Sequence, residues 1–199
     1  MSLKGLSIGI GITGSYCTFD KITPELRKMV NSGARVYPII TPSVDSIDTR
    51  FGKANHWKEE IASIAGQQLI KDIVGAEPVG PESVLDVMVI APCTGNTLAK
   101  LANGITDTAV LMAAKAQLRN LKNVVLGIST NDGLGLNARN IGTLINTKNI
   151  FLVPFGQDNP LKKANSLVAR MDLLIPTIEK AVEGKQIQPV LIEYQSAHS

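Results

Sequence analysis

Five short apolar runs, each bounded by Gly, Pro, Ser or Thr, recur along the chain at residues 6–13, 34–41, 84–91, 124–130 and 150–155. Their near-continuous apolar character is what strands covered on both faces require, and it predicts a parallel sheet. Segments of helical spacing lie between them. In the first, Phe19, Ile22, Leu26, Met29 and Val30 share one face, and Gly33 closes the helix. Pro24 predicts either a kink or a restart with Thr23 as N-cap, because a proline inside a continuous helix costs about 3 kcal/mol.

The second connection, 43–83, is the longest; it holds a helical stretch over 57–74, then Pro78 and Pro81. A third helix starts within 94–97, a break at Gly104 precedes another over 107–119, and two more are expected near 137–146 and 160–182. A repeating βα order of this length predicts an α/β fold: a doubly wound, three-layer parallel sheet with right-handed crossovers. One domain spans 1–184 and a tail spans 185–199, whose apolar run 190–194 either pairs with a neighbouring subunit or lies alone.

Composition narrows the function classes. At 199 residues with 44% apolar and 19% charged positions, the chain can bury one sizeable core, which excludes global disorder. The net charge of +3 is scattered, so no nucleic-acid partner is expected. No apolar stretch reaches the roughly 18 residues of a membrane span, and the N-terminal run is too short for a secretory signal, so a cytoplasmic protein with no membrane partner is expected. Cys17 and Cys93 form no C-x-x-C pair and no metal-ligand spacing occurs, so reduced thiols and no metal are expected.

In open α/β sheets the ligand lies beyond the carboxyl ends of the strands. After the first run comes Gly9-Ile10-Gly11-Ile12-Thr13-Gly14-Ser15, a G-x-G-x-x-G match on a strand-to-helix turn, where glycines allow close approach of an anion to free backbone amides. A dinucleotide site also needs an acid about 20 residues further on, at the end of the second strand. Here that end is Thr41-Pro42-Ser43, and the nearest acid, Asp45, lies 31 residues beyond Gly14. Neutral hydroxyls suit a phosphate monoester, so FMN fits better than NAD. After the third run, Pro92-Cys93-Thr94-Gly95-Asn96-Thr97 concentrates hydrogen-bonding side chains where a helix begins, more than one N-cap requires. The candidate cofactor-binding residues are thus Gly11, Thr13, Gly14, Ser15, Thr41, Ser43, Pro92, Thr94, Gly95, Asn96 and Thr97. Cys93 is taken as a packing residue.

These segments resemble the superfamily of FMN-binding cysteine decarboxylases and flavin prenyltransferases, in the G-I-T-G-S turn, the hydroxyl-bearing end of the second strand and A-P-C-T-G-N-T-L-A-K-L-A-N-G. Within it, I-T-D-T-A-V-L-M-A-A-K-A-Q-L-R, G-I-S-T-N-D-G-L-G-L-N and N-I-F-L-V-P-F-G-Q-D resemble the branch formed by the B subunits of dipicolinate synthases of spore-forming bacteria, and the likeness runs over essentially the whole chain. The resemblance implies a Rossmann-like flavoprotein fold, FMN binding, and a part in making pyridine-2,6-dicarboxylate from a dihydro- or hydroxytetrahydro-dipicolinate precursor in the mother-cell cytoplasm during sporulation. It also implies an A-subunit partner carrying NADP or NAD, and a homo-oligomer built on trimers. The alternatives are a non-redox scaffolding subunit and an FMN-dependent decarboxylase. The last is disfavoured, because the P-x-M-N-x-x-M-W signature is absent and no cysteine follows Cys93. The superfamily's catalytic histidine falls in the second connection, where this chain offers His56 in different local wording.

A dicarboxylate substrate needs cations, and arginine pairs with a carboxylate through two bonds; the candidates are Arg139 and Arg119, with Lys115 beside the latter. Ser129 and Asn131 in the fourth loop are candidate substrate contacts, and Asp132 is a candidate proton acceptor or an ordinary Asp-Gly turn residue. The loop after the fifth run, 155–163, is polar and basic enough to meet either the dicarboxylate or the partner subunit.

Overall fold

A computed structural model describes residues 3–82 and 84–194. Seven strands, β1 (Ser7–Ile12), β2 (Arg35–Ile40), β3 (Val87–Cys93), β4 (Asn123–Thr130), β5 (Ile150–Leu152), β6 (Phe155–Asn159) and β7 (Lys163–Ala169), form one sheet in the order β2-β1-β3-β4-β7-β6. The short β5 pairs with the first half of β4. Strands β1 to β5 are parallel, as their apolar runs predict. β7, however, runs antiparallel to β6 and to the end of β4, so the sheet is mixed rather than wholly parallel.

Helices cover both faces. They are α1 (Phe19–Asn31), α2 (Pro42–Ser46), α3 (Ala54–Ala65), α4 (Ile73–Ala76), α5 (Gly95–Ala102), α6 (Ala109–Arg119), α7 (Ala138–Ile145) and α8 (Leu174–Val182). One layer joins α1, α3 and α8, and the other joins α4, α5, α6 and α7. Strand β1, between β2 and β3, is buried at every position. Ile8, Ile10 and Ile12 alternate with two glycines, and a Cβ on Gly11 would sit 2.7 Å from Val110 Cγ1 of α6. Helix α6 therefore approaches β1 closely only because the strand carries no side chain there.

Three boundaries differ from the sequence reading. Helix α1 runs through Pro24 unbroken, so there is no restart at Thr23. Helix α3 stops at Gly66, whose φ of 61° is left-handed, instead of continuing to Val74. The chain beyond it returns alongside β2, where the Ile70 amide donates to the Pro38 carbonyl at 2.9 Å and the Ile40 amide to the Ile70 carbonyl at 2.9 Å. The third difference is largest. The expected helix over 160–182 is a turn, strand β7 and only then α8. Leu167, Met171, Leu174 and Ile178 are all buried at helical spacing, yet only the last two lie in an α-helix.

The apolar run near the C-terminus joins its own sheet. The Phe155 amide donates to the Val190 carbonyl and the Ile192 amide to the Phe155 carbonyl, both at 3.0 Å. Gln186 imitates a strand neighbour for β5, accepting from the Leu152 amide at 2.8 Å and donating to its carbonyl at 2.7 Å. Phe155 and Leu152 thus find backbone and amide partners within the chain, which blunts those strand edges as templates for pairing between molecules. Residues 195–199 of the expected tail lie outside the described residues.

Asp45 on α2 bridges Lys58 of α3 at 3.2 Å and Lys71 at 3.0 Å. The hydrogen bond from Lys71 leads the effects that hold its carboxyl below the usual aspartate range. A depressed folded-state pKa contributes stability that is present above the unfolded value and is lost as pH falls through the folded one. Asp45→Asn is therefore expected to lower stability at neutral pH by a solvent-screened amount of about 0.5 kcal/mol. The gap from the parent should close in acid, as read by urea unfolding at a series of pH values.

Candidate functional site

A cleft of about 840 Å³ opens at the carboxyl edge of the sheet, within the range of about 300–1,000 Å³ typical of small-molecule sites. Its wall takes residues from the corners after β1, β3 and β4, from a turn in the long connection after α2, and from the β6–β7 hairpin. The hairpin stands where a regular fifth βα corner was expected.

Hydroxyl groups hold these corners together. Thr13, 1% exposed, donates its hydroxyl to the Pro92 carbonyl at 2.7 Å and accepts the Thr94 amide at 3.0 Å, tying the first corner to the third. The Ser15 and Ser129 hydroxyls hydrogen-bond at 2.7 Å, tying the first to the fourth. Thr94 caps α5 by accepting the Thr97 amide, which leaves the Gly95 and Asn96 amides of the first turn facing the mouth of the helix. A Cβ on Gly95 would lie 2.5 Å from Thr130 Oγ1 and 2.7 Å from Asn137 Nδ2, so only glycine lets the third and fourth corners close. The Thr41 and Ser43 hydroxyls pair at 3.0 Å behind Gly14, and the Tyr16 hydroxyl donates to the Ser43 carbonyl at 2.6 Å. Partial burial pushes the Tyr16 phenol upward, outweighing the opposing bond to Ser43, and keeps it a neutral donor.

The structure brings most of the expected residues to this place. Gly14, Ser15, Thr94, Gly95, Asn96, Ser129, Asn131 and Asp132 form the cleft wall. Thr13, Thr41, Pro92 and Thr97 are buried behind it, and Ser43 abuts Gly14. Gly11 lies inside β1 against Val110 and Met88, where its lack of a side chain serves helix packing.

The expected cations are elsewhere. Arg119 lines a separate groove between α4 and α6 together with Lys115, its guanidinium close to Gly80. Arg139 is exposed on α7 and is not part of the cleft wall. His56 is exposed on α3, 3.7 Å from Glu60, and does not reach the cleft.

Asp132 serves its own turn, accepting the Leu136 amide at 3.1 Å and the Asn137 side-chain amide at 3.5 Å, and still borders the cleft. Burial pushes the Cys93 thiol up to about 12, so it stays protonated and packs.

Several wall residues escaped the sequence reading. Tyr16 follows the glycine turn; Thr49, Arg50 and Phe51 come from the long connection; and Ser166 and Val168 come from β7, beyond Asp158 and Lys163 of the 155–163 loop that was expected to meet a ligand. A helical reading of 160–182 concealed the last group, since the two-residue alternation of Ser166 and Val168 toward the cleft against Leu167 and Ala169 toward the core is a strand signal. Lys163 and Asp158 pair at 2.7 Å.

The Flavoprotein family model matches residues 1–171. The chain belongs to the Flavoprotein family. It is 56% identical over 192 residues to the dipicolinate synthase B subunit of Bacillus subtilis (strain 168), covering 96% of each chain. The crystal structure of the dipicolinate synthase B subunit from Bacillus halodurans C superposes with a TM-score of 0.89 at 53% identity, over 97% of this chain and 99% of that one. The FMN binding protein AtHal3 shares the fold, with a TM-score of 0.65 at 19% identity over 92% and 100% of the two chains. The cleft offers backbone dipoles and hydroxyls at the start of α5, with no acid at the end of β2, a donor set that fits a phosphate monoester. Among the described residues no cluster of metal-ligating side chains occurs, and no helix is long and apolar enough to cross a membrane.

The two roles open to Gly11 separate experimentally. Gly11→Ala forces a methyl against Val110 and is expected to cost about 1–3 kcal/mol in denaturant unfolding. An unchanged midpoint would return Gly11 to the turn's anion-binding role.

Proposed function

We propose that this chain is the FMN-holding B subunit of a dipicolinate synthase, acting with an A subunit that carries NADP or NAD to convert a dihydro- or hydroxytetrahydro-dipicolinate precursor to pyridine-2,6-dicarboxylate. The observation that carries the reading is 56% identity, across nearly the full length of both chains, to a protein of that name. The hydroxyl-rich cleft supports it. The Gly95 and Asn96 amides with the Ser15, Thr94 and Ser129 hydroxyls are the groups that hold the FMN phosphate, since oriented dipoles at a helix start favour an anion without a cation. When bound, FMN supplies an acceptor for the two electrons that leave the precursor ring.

Aromatising a dihydro ring removes two protons as well as two electrons, and a hydroxylated precursor also loses water. Asp132 is the carboxylate for the proton: Asp158 is committed to Lys163, whereas Asp132 borders the cleft and its oxygens meet only amide donors, with no cation paired to them among the described residues. Thr13 and Tyr16 act as positioning residues, the one fixing the third corner and the other the end of β2. In this reading the protein works in the cytoplasm of a sporulating cell, as a homo-oligomer. The groove between α4 and α6, lined by Ile73, Val74 and Met112, offers apolar surface for self-association.

Reconstitution decides the matter. The chain, its A subunit, the lysine-pathway precursor and a nicotinamide cofactor are mixed with and without FMN, and the ultraviolet absorbance of the product is followed. Product formation that requires both this chain and FMN is the expected result; a yield indifferent to the chain overturns the function, and a yield indifferent to FMN reduces the chain to a scaffold. Ser15→Ala combined with Ser129→Ala is expected to weaken FMN binding by roughly tenfold or more, as loss of hydrogen bonds to a charged group does. Flavin fluorescence titration checks this, and unchanged affinity removes these hydroxyls from the phosphate site.

A further inference from the structure

We propose that Arg50 and Phe51, at the tip of a pinned turn beside the cleft, form the clamp for the substrate: the guanidinium takes one carboxylate and the phenyl ring lies against the planar ring bearing it. This rests on the dicarboxylate reading above and names the residues that recognise it.

The turn is built, not loose. Thr49 and Gly52 exchange backbone hydrogen bonds at 3.0 and 3.1 Å, and the Phe51 amide donates to the Thr49 hydroxyl at 3.2 Å. Its base is anchored where Asp48 accepts the Ala54 amide at 2.8 Å, at the start of α3. Gly52 has a φ of 139°, and a Cβ there would meet Trp57 Nε1 at 2.7 Å, so its backbone lies directly on the buried indole. This geometry leaves Arg50 and Phe51 as the two tip residues, both on the cleft wall.

The charge balance of the cleft singles out Arg50. Lys163 is neutralised by Asp158 at 2.7 Å, and Asp132 is met by amides of its own loop rather than by a cation. Arg50 has no carboxylate partner among the described residues; its guanidinium rests 4.8 Å from the Phe51 ring centroid. Stacking on an aromatic face leaves the edge of the guanidinium fork open, and that edge is the part that pairs with a carboxylate through two bonds. Phe51 is 42% exposed, an apolar face that a pyridine or dihydropyridine ring would cover. Arg119 and Arg139, the arginines that residue type alone suggested, lie off this wall.

The test is calorimetric titration of the full chain, loaded with FMN, with pyridine-2,6-dicarboxylate itself, for the parent, Arg50→Gln and Arg50→Lys. Circular dichroism confirms that each variant is folded. Arg50→Gln is expected to weaken dicarboxylate binding at least tenfold and Arg50→Lys to fall between, because an ammonium cannot make the paired contact. FMN affinity should stay at the parent value in both. If the parent binds the dicarboxylate and Arg50→Gln binds it equally well, the clamp is wrong while the function stands. If Arg50→Gln loses FMN instead, Arg50 belongs to the phosphate and the inference fails. A parent that neither binds the dicarboxylate nor supports its formation overturns both readings together.

Discussion

The Thr13 hydroxyl is buried at the junction of the first and third corners, donating to the Pro92 carbonyl and accepting the Thr94 amide. A buried polar group left unpaired costs about 1–3 kcal/mol, so the arrangement in which both of these bonds form is strongly favoured over its neighbours. That arrangement fixes where α5 begins relative to the glycine turn, and therefore where the Gly95 and Asn96 amides stand. The β1–β3 pairing, from Ile8↔Val87 to Gly11↔Ile90, delivers both corners to the same height. Everything on the cleft wall is placed relative to this pair: Ser15 reaches Ser129 from it, and the fourth corner closes over Gly95.

How much of this could be seen in the chain follows from where the determining contacts lie. The first four strands were legible to within a few residues because burial on both faces leaves an apolar run that needs no knowledge of neighbours. The hydroxyls of the corners were legible too, since they sit directly after those runs. The β6–β7 hairpin was not. The buried Leu167 of β7 and Met171 of the turn after it continue in helical register into Leu174 and Ile178, so two structures share one hydrophobic pattern and only pairing with β4 chooses between them. Gly66 and Gly11 show the same limit at single residues. A glycine that ends a helix and one that admits a neighbouring helix look alike until the neighbour is placed.

Among candidate site residues, side-chain chemistry alone does not give location. Arg119, Arg139 and His56 have suitable side chains, yet each is exposed on a helix and none lines the cleft wall. Arg50 carries the same guanidinium and sits in the least regular part of the chain. Its place is set by Gly52 lying on Trp57 and by Asp48 holding the start of α3, contacts between segments with no periodic signature.

The cleft then divides its work between two kinds of electrostatics. At the corners the positive potential comes from backbone amides and hydroxyls that are already oriented, so binding a phosphate there requires little rearrangement and no mobile side chain. On the long-connection side the positive charge is a full guanidinium on an exposed turn, strongly screened until a ligand covers it. Covering Phe51 with a flat ring removes water from the same place, and the attraction between Arg50 and a carboxylate strengthens as the local dielectric falls. A ligand with the carboxylate but no ring gains only the screened contact, and one with the ring but no carboxylate gains only apolar burial. In the proposed clamp, discrimination for a planar ring acid comes from the coupling of two neighbouring residues, a task for which a cation stacked on an aromatic ring is better suited than a lysine paired to an aspartate.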